Sequence, residues 1–236
     1  MDEWGDDNLS KFLEMVHSNQ KANRINFAGP YATMRRIDDC LVKAGKNLIG
    51  PKPMMAGVLL LRAQYAYKTA VGMALAGQVV EAFVMMRSVL EYAGYALIIF
   101  DQPTLEDVFI LRHKGETELK AHKKAFTSGA IRDVLARYDQ KLAELFDIFY
   151  QRTIDFGGHP NPHATFSAAQ IDGRDGQTGF TALAITKDQI VLAHAMKSAA
   201  QVGLTALHIL QHVFKPKFEI LGIRAEIDAL RLDAGL

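Results

Sequence analysis

Between Pro53 and Phe100 the chain is apolar almost throughout, yet Arg62, Lys68, Glu81, Arg87 and Glu91 punctuate it. No window of about 18 to 20 residues there is both apolar and charge-free, so the stretch reads as core helices rather than a membrane span. It is the only part of the chain oily enough to raise the question. Pro51 and Pro53 precede a first helix, Gly77 and Gln78 divide it from a second, and Asp101-Gln102-Pro103 ends the second. The expected product is a long antiparallel helical hairpin. From Val79 to Phe100 the only strongly polar side chains are Glu81, Arg87, Ser88 and Glu91. A helix so nearly apolar all round is expected in the middle of a bundle, with Glu81, about one turn from its start, exposed.

The remaining segments carry helical patterns of their own. Helices are expected from about Asn8 to Gln20 and, after a break at Ala28-Gly29-Pro30, from Tyr31 to about Lys46. Thr104 with Asp107 resembles a capping box for a helix to about Phe126. Ile131, Val134, Leu135, Tyr138, Leu142, Leu145, Phe146 and Phe149 form one apolar stripe, which predicts a single helix from about Ala130 to Ile154. Gly157, Gly158, Pro160 and Pro162 then predict a loop from Asp155 to His163. Thr165 to Ile171 and Gly179 to Ile185, joined by Asp172-Gly173-Arg174-Asp175-Gly176, suggest a small β-hairpin. Thr186 and Gln189 predict the capping box of a long helix to about Phe214, and a last helix runs from about Phe218 to Leu232.

The fold class expected is therefore all-α: a bundle of about seven or eight helices with a small β-hairpin insertion. Residues 1–236 read as one helical domain, with N-terminal helices in 1–50, core helices in 51–154, loop and hairpin in 155–186 and C-terminal helices in 187–236. With 49% hydrophobic residues, a chain of 236 residues can bury a sizeable core without disulfide or metal. The 27 basic and 26 acidic groups exclude the strong global field of a non-specific nucleic-acid binder. One cysteine, Cys40, forms no internal disulfide and no cysteine-based zinc site. The acidic start Met1-Asp2-Glu3-Trp4-Gly5-Asp6-Asp7 has no leader-like apolar stretch, so the expected location is cytoplasmic.

Arg87 and Glu91, four residues apart, project from one face of the most apolar helix. A buried charge needs a partner, because leaving it alone costs several kcal/mol. Two readings follow: an ion pair fixing bundle register, or ligand-binding residues lining a polar cavity. The segment Arg152 to His163 is the most suggestive for chemistry. Its prolines and glycines shape a stiff turn around His159 and His163, an imidazole can serve as general base and then acid, and an arginine can hold a phosphoryl oxygen bidentately. Together these groups could support attack of an RNA 2′-hydroxyl on the adjacent phosphate without a metal. The other reading of the segment is a helix terminator with polar loop residues. Arginine and histidine at this separation occur about once by chance in such a chain, so spacing alone carries little weight.

Other constellations have plainer readings. His159 and His163 with Glu91 or Asp155 could form a two-His, one-carboxylate metal set, as an alternative. His208 and His212 lie one helical turn apart, but His194, Gln201, Thr205, His208 and His212 share a stripe, with Lys197 close by, that reads as the wet face of an amphipathic helix. Arg112-His113-Lys114 to Lys120-Ala121-His122-Lys123-Lys124 reads as a solvated face, lacking interleaved aromatics to stack bases. No nucleophile elbow, phosphate-binding loop or dinucleotide fingerprint is present, so no cofactor is expected.

Gly77-Gln78-Val79-Val80-Glu81-Ala82 leading to Arg87-Ser88-Val89-Leu90-Glu91 resembles the central helix of a bacterial group of HEPN-like helical proteins, and Tyr150 to His159 resembles their tyrosine near a helix end followed by a loop histidine. The resemblance spans about Pro51 to Phe214. It implies an all-α bundle, often a homodimer, of stress or defence type, whose active relatives are metal-independent RNases with an arginine and a histidine at a helix end. Carried over, Arg152 binds phosphate, His159 is the general acid/base and Thr153 is the polar residue after the arginine; both Arg152 and His159 would be catalytic. Arg87, Glu91, Tyr150 and His163 would bind ligand, with no metal. In this spacer Gly157 and Gly158 are expected to interrupt the helical phase between arginine and histidine. The partners expected are RNA or a small ligand and a second copy of the chain, with no membrane. The rival is a non-catalytic module binding a nucleotide, small ligand or protein.

Overall fold

A computed structural model describes residues 5–158, 169–174, 177–182 and 184–234. Eleven α-helices lie among the described residues: α1 Asn8–Asn26, α2 Ala28–Lys46, α3 Met54–Ala76, α4 Val79–Asp101, α5 Leu105–Ile110, α6 Glu116–Ala125, α7 Ser128–Tyr138, α8 Gln140–Thr153, α9 Gln189–Val213, α10 Lys215–Ile220 and α11 Ile223–Ala234. The fold is an all-α bundle, with more helices than the seven or eight expected. The surplus arises where three expected helices are each divided in two, the last of them, expected from about Phe218 to Leu232, into α10 and α11 on either side of Gly222 at φ 68°. Thr104 to Phe126 divides into α5, a 3-10 turn at Leu111–His113 and α6. The stripe from Ile131 to Phe149 divides at Asp139, whose extended backbone (φ −158°, ψ 106°) ends α7 while its carboxylate caps α8 at Leu142 N, 3.1 Å away. The stripe stayed continuous in sequence because both helices turn their apolar residues to the same core.

Neither Thr104 nor Thr186 supplies the cap expected of it. Thr104 makes no capping bond, and Glu106 instead accepts from Met55 N at the start of α3, at 2.6 Å. Asp188, not Thr186, caps α9, accepting from Ile190 N at 2.8 Å and Val191 N at 3.2 Å. Likewise α1 runs past Gln20 to Asn26, and α2 starts at Ala28 with Pro30 in its first turn, where no amide hydrogen is required. Strands β1 Ala169–Arg174 and β2 Gln177–Ala182 pair antiparallel, Ala169 opposite Ala182 and Arg174 opposite Gln177. The paired residues are thus displaced toward the turn from the segments 165–171 and 179–185 expected from sequence.

The hairpin of α3 and α4 is the frame of the bundle. Gly77 ends α3 with φ 85°, a left-handed conformation open to glycine, and its amide and that of Gln78 return to Ala74 O and Met73 O. Asn19, Gln20 and Asn23 of α1 donate to Ala76 O, Gly72 O and Leu75 O, so the last carbonyls of α3 are satisfied from a neighbouring helix. Gly77 O also accepts from Thr186 N at 2.9 Å, tying the hairpin turn to the approach of α9.

Helix α4 packs against α3, α7, α8 and α9, and Phe83, Met86, Leu90 and Leu97 on it are fully buried. Each such side chain contributes about 1.5 to 3 kcal/mol by leaving water. It is not apolar toward protein on every side, however: Glu81 is exposed, as expected, and Val84 is 42% exposed. The more completely enclosed helix is α9, where Ser198, Gln201 and Thr205 are buried along with its alanines and leucines. The expected wet face of α9 is therefore corrected: Gln201 and Thr205 are buried and His194, His208 and His212 half-buried, with Lys197 alone exposed on it. Small residues make this possible: Gly203 lies so close to the Tyr67 ring that a Cβ there would fall 2.3 Å from it. By length and composition alone α4 and α9 could each cross a membrane, so the expectation of a single oily stretch is also revised; 56% and 72% of their most apolar windows are buried within the bundle.

Candidate functional site

Helix α8 lies between two polar groups, one on each side. On the α4 side, Arg87 Nε donates to Glu91 Oε1 at 2.9 Å, and Tyr150 OH donates to the same oxygen at 2.9 Å. The Arg87 guanidinium also lies 5.2 Å over the Tyr150 ring. The spacing that placed Arg87 and Glu91 on one face is realised, and Tyr150 joins them. The pair is only partly enclosed, with 25% and 26% of the two side chains exposed. Burial alone would lower the Arg87 pKa, but the hydrogen bond and charge of Glu91 outweigh it and the net shift is upward. Tyr150 is raised by burial first and by the Glu91 charge second.

On the α9 side, Arg152 projects from the last turn of α8 across the Phe149 ring, 5.0 Å from its centroid. Its Nη1 donates to Gln201 Oε1 at 2.7 Å and to Ser198 Oγ at 3.3 Å. Both acceptors are neutral, and among the described residues no carboxylate pairs with this guanidinium. Asp155, three residues on, is exposed and accepts from Gln151 Nε2 at 2.8 Å. Burial accordingly pushes the Arg152 pKa down, with no acid to restore it. Thr153 is fully buried and donates to Tyr150 O at 2.7 Å, so its hydroxyl serves the helix rather than the site.

His194, one turn before Ser198 on α9, completes this side. Its ring lies 5.2 Å from Phe156 and 6.0 Å from Phe83, and its Nε2 is enclosed with no hydrogen-bond partner among the described residues. Burial, then the charges of Arg152 and Lys197, hold its pKa below the ordinary histidine value. Phe156 sits in a π-helical turn, Ile154–Gly158, that extends α8; the first four residues of the expected loop, 155–158, are therefore helical, Gly157 and Gly158 included, and the rest of it lies outside the described residues. Gly157 is required there, because a Cβ would fall 2.2 Å from Val80 O on α4.

The structure thus unites Arg87, Glu91 and Tyr150 and places Arg152 on the opposite side of the same helix. His159 and His163 lie outside the described residues, as does the metal set built on them; among the described residues no group of three histidine, cysteine or acidic side chains is placed to hold an ion. His194, Ser198 and Gln201 were missed as site residues. For His194 and Gln201 the signal is the polar stripe of α9, which the sequence assigns to water; Ser198 lies outside that stripe. Comparison with family models, with curated proteins and with solved structures finds no match to this chain.

Proposed function

We propose that the protein is a HEPN-like, metal-independent RNase of bacterial stress or defence type, acting as a homodimer, in which Arg152 holds the scissile phosphate and His159 is the acid/base. The observation that supports this most is the half-buried Arg152 cation, fixed in position by Ser198 and Gln201 without a carboxylate among the described residues to neutralise it. Such a group is preorganised and its charge is available to an anion. In the reaction, the RNA 2′-oxygen forms a bond to the adjacent phosphorus while its proton passes to the His159 imidazole. The bond from phosphorus to the 5′-oxygen breaks, and the imidazolium returns the proton to that leaving oxygen. The products are a 2′,3′-cyclic phosphate and a 5′-hydroxyl. In the wider form of this reading the ligand also spans α8, and Arg87, Glu91, Tyr150 and His163 are then ligand-binding residues.

Purified protein incubated with mixed RNA in EDTA should cleave it to these ends, and His159→Ala should reduce the rate by about 10²-fold or more. No cleavage, or cleavage unchanged by the substitution, removes the RNase reading. The second reading is a non-catalytic module that binds a phosphate-bearing ligand at Arg152, favoured by the neutral residues that anchor the guanidinium. It predicts a ligand-dependent rise in Tm with no turnover.

A further inference from the structure

We propose that His194 is a second ligand for the phosphoryl group at Arg152, so that α8 and α9 together form a two-residue oxyanion site whose occupancy is coupled to protonation of this imidazole. The proposal rests on the reading of Arg152 as a phosphate anchor and adds to it a partner on a different helix.

Three observations converge. The Arg152 guanidinium is bound to Ser198, one helical turn along α9 from His194, which brings the imidazole and the cation to one face of that helix. Next, the ring is fixed from behind. Phe83 and Phe156 stack on each other with centroids 5.1 Å apart, and both adjoin the imidazole, whose Nε2 is enclosed without an oxygen or nitrogen partner among the described residues. The Nε2 edge of the imidazole is thus closed off beside aromatic rings. That leaves Nδ1 as the nitrogen available to a ligand. Third, among the described residues the charges acting on the ring are of one sign: Arg152 from α8 and Lys197 from its own helix, while α4 and the π-helical turn contribute Phe83 and Phe156. Two cations that repel a proton from the imidazole in the free protein are complementary to an oxyanion. A phosphate seated on Arg152 reverses the local field, and the imidazole then gains a proton at Nδ1 and donates it as a hydrogen bond to a phosphate oxygen. The ligand class is a phosphate ester, with inorganic phosphate as its simplest representative.

The test is an NMR titration of the histidine side chains of the full-length protein, with and without inorganic phosphate. Phosphate should raise the proton affinity of His194 by about tenfold, one pH unit in its midpoint, as an anion within hydrogen-bond range does. The shift should vanish in Arg152→Gln, and His194→Gln should weaken phosphate binding about tenfold with an unchanged circular dichroism spectrum. A His194 midpoint indifferent to saturating phosphate, or a shift that survives Arg152→Gln, overturns the proposal. RNA cleavage in EDTA is scored separately: cleavage with no phosphate-linked shift sinks the role of His194 alone, and a shift without cleavage sinks the RNase reading alone.

Discussion

The two sides of α8 use arginine in opposite ways. Arg87 meets a carboxylate that also accepts a tyrosine hydroxyl, so its charge is matched by Glu91 within its own helix. Arg152 meets an amide oxygen and a hydroxyl, which orient the guanidinium and leave its charge unmatched among the described residues. A matched pair adds modest stability and fixes the relation of α4 to α8. An oriented but unmatched cation adds little stability and has strong affinity for an anion. The two arginines are therefore distinguishable by experiment, although both lie at helix positions of similar burial.

The largest effect is expected from breaking this asymmetry directly. On the proposed RNase reading, Arg152→Ala should lower RNA cleavage by about 10² to 10³-fold, the loss typical of one preorganised charge-stabilising donor. Arg87→Ala should instead cost about 1 to 2 kcal/mol of stability by leaving Glu91 partly buried without its cation. Initial rates on a labelled RNA and urea denaturation of both variants check the pair of predictions. Equal loss of activity in the two would show that the sides of α8 act as one site.

Gly157→Ala comes next. The new Cβ would meet Val80 O at 2.2 Å, a backbone atom that a side-chain rotation does not clear. The π-helical turn or α4 must shift, at a cost of about 2 to 3 kcal/mol. Because Phe156 belongs to that turn, the wall behind His194 should be disturbed while the bond between Arg87 and Glu91 remains. Thermal unfolding measures the first effect and the His194 resonance the second.

These contrasts also mark what could be read from residues alone. Periodicity was enough for the all-α class and for the hairpin of α3 and α4, because Gly77 and the flanking prolines are unambiguous punctuation. The i to i+4 relation of Arg87 and Glu91 is likewise local, and it held. The partners of Arg152 are not local. Ser198 and Gln201 lie on a helix far along the chain, and a helical wheel assigns its polar stripe to water because it knows nothing of packing. The residues that reverse that assignment are small ones, Ala195, Ala199, Gly203 and Ala206, which let neighbouring helices close over the polar atoms. Thr205 shows how the cost is met, donating back to Gln201 O at 2.8 Å within its own helix. The break at Asp139 was visible as an N-cap residue, but a continuous apolar stripe concealed it.

The same helix supplies a comparison of histidines. Burial holds His208 at a pKa of about 4, with Arg231 adding to the effect. Its folded value lies below the ordinary value near 6.5, so protons prefer the unfolded chain. The stability is complete above about pH 6.5, falls as the pH drops from there toward 4, and levels off below that. The loss across this window is on the order of 2 to 3 kcal/mol. Urea midpoints measured between pH 7 and 4 should show it, and His208→Gln should flatten the curve. Phosphate should leave His208 unmoved while shifting His194, which sharpens the distinction between a histidine buried for packing and one placed beside a cation.

The smallest effect tests how separate the two sides are. Tyr150→Phe removes the hydroxyl that donates to Glu91 Oε1 and keeps the ring beneath Arg87. Glu91 retains its arginine, so the cost is that of one hydrogen bond at a charged acceptor in a partly wet setting, about 1 kcal/mol. The upward pressure that Glu91 exerts on the phenol disappears with the phenol itself, and no other group need change its protonation state. If Arg87, Glu91 and Tyr150 only fix register, cleavage by the variant stays within about twofold of the parent, because Arg152 is bonded to α9 and not to this network. A tenfold loss of rate with unchanged stability would instead carry the ligand across α8 and make Tyr150 one of the residues it touches.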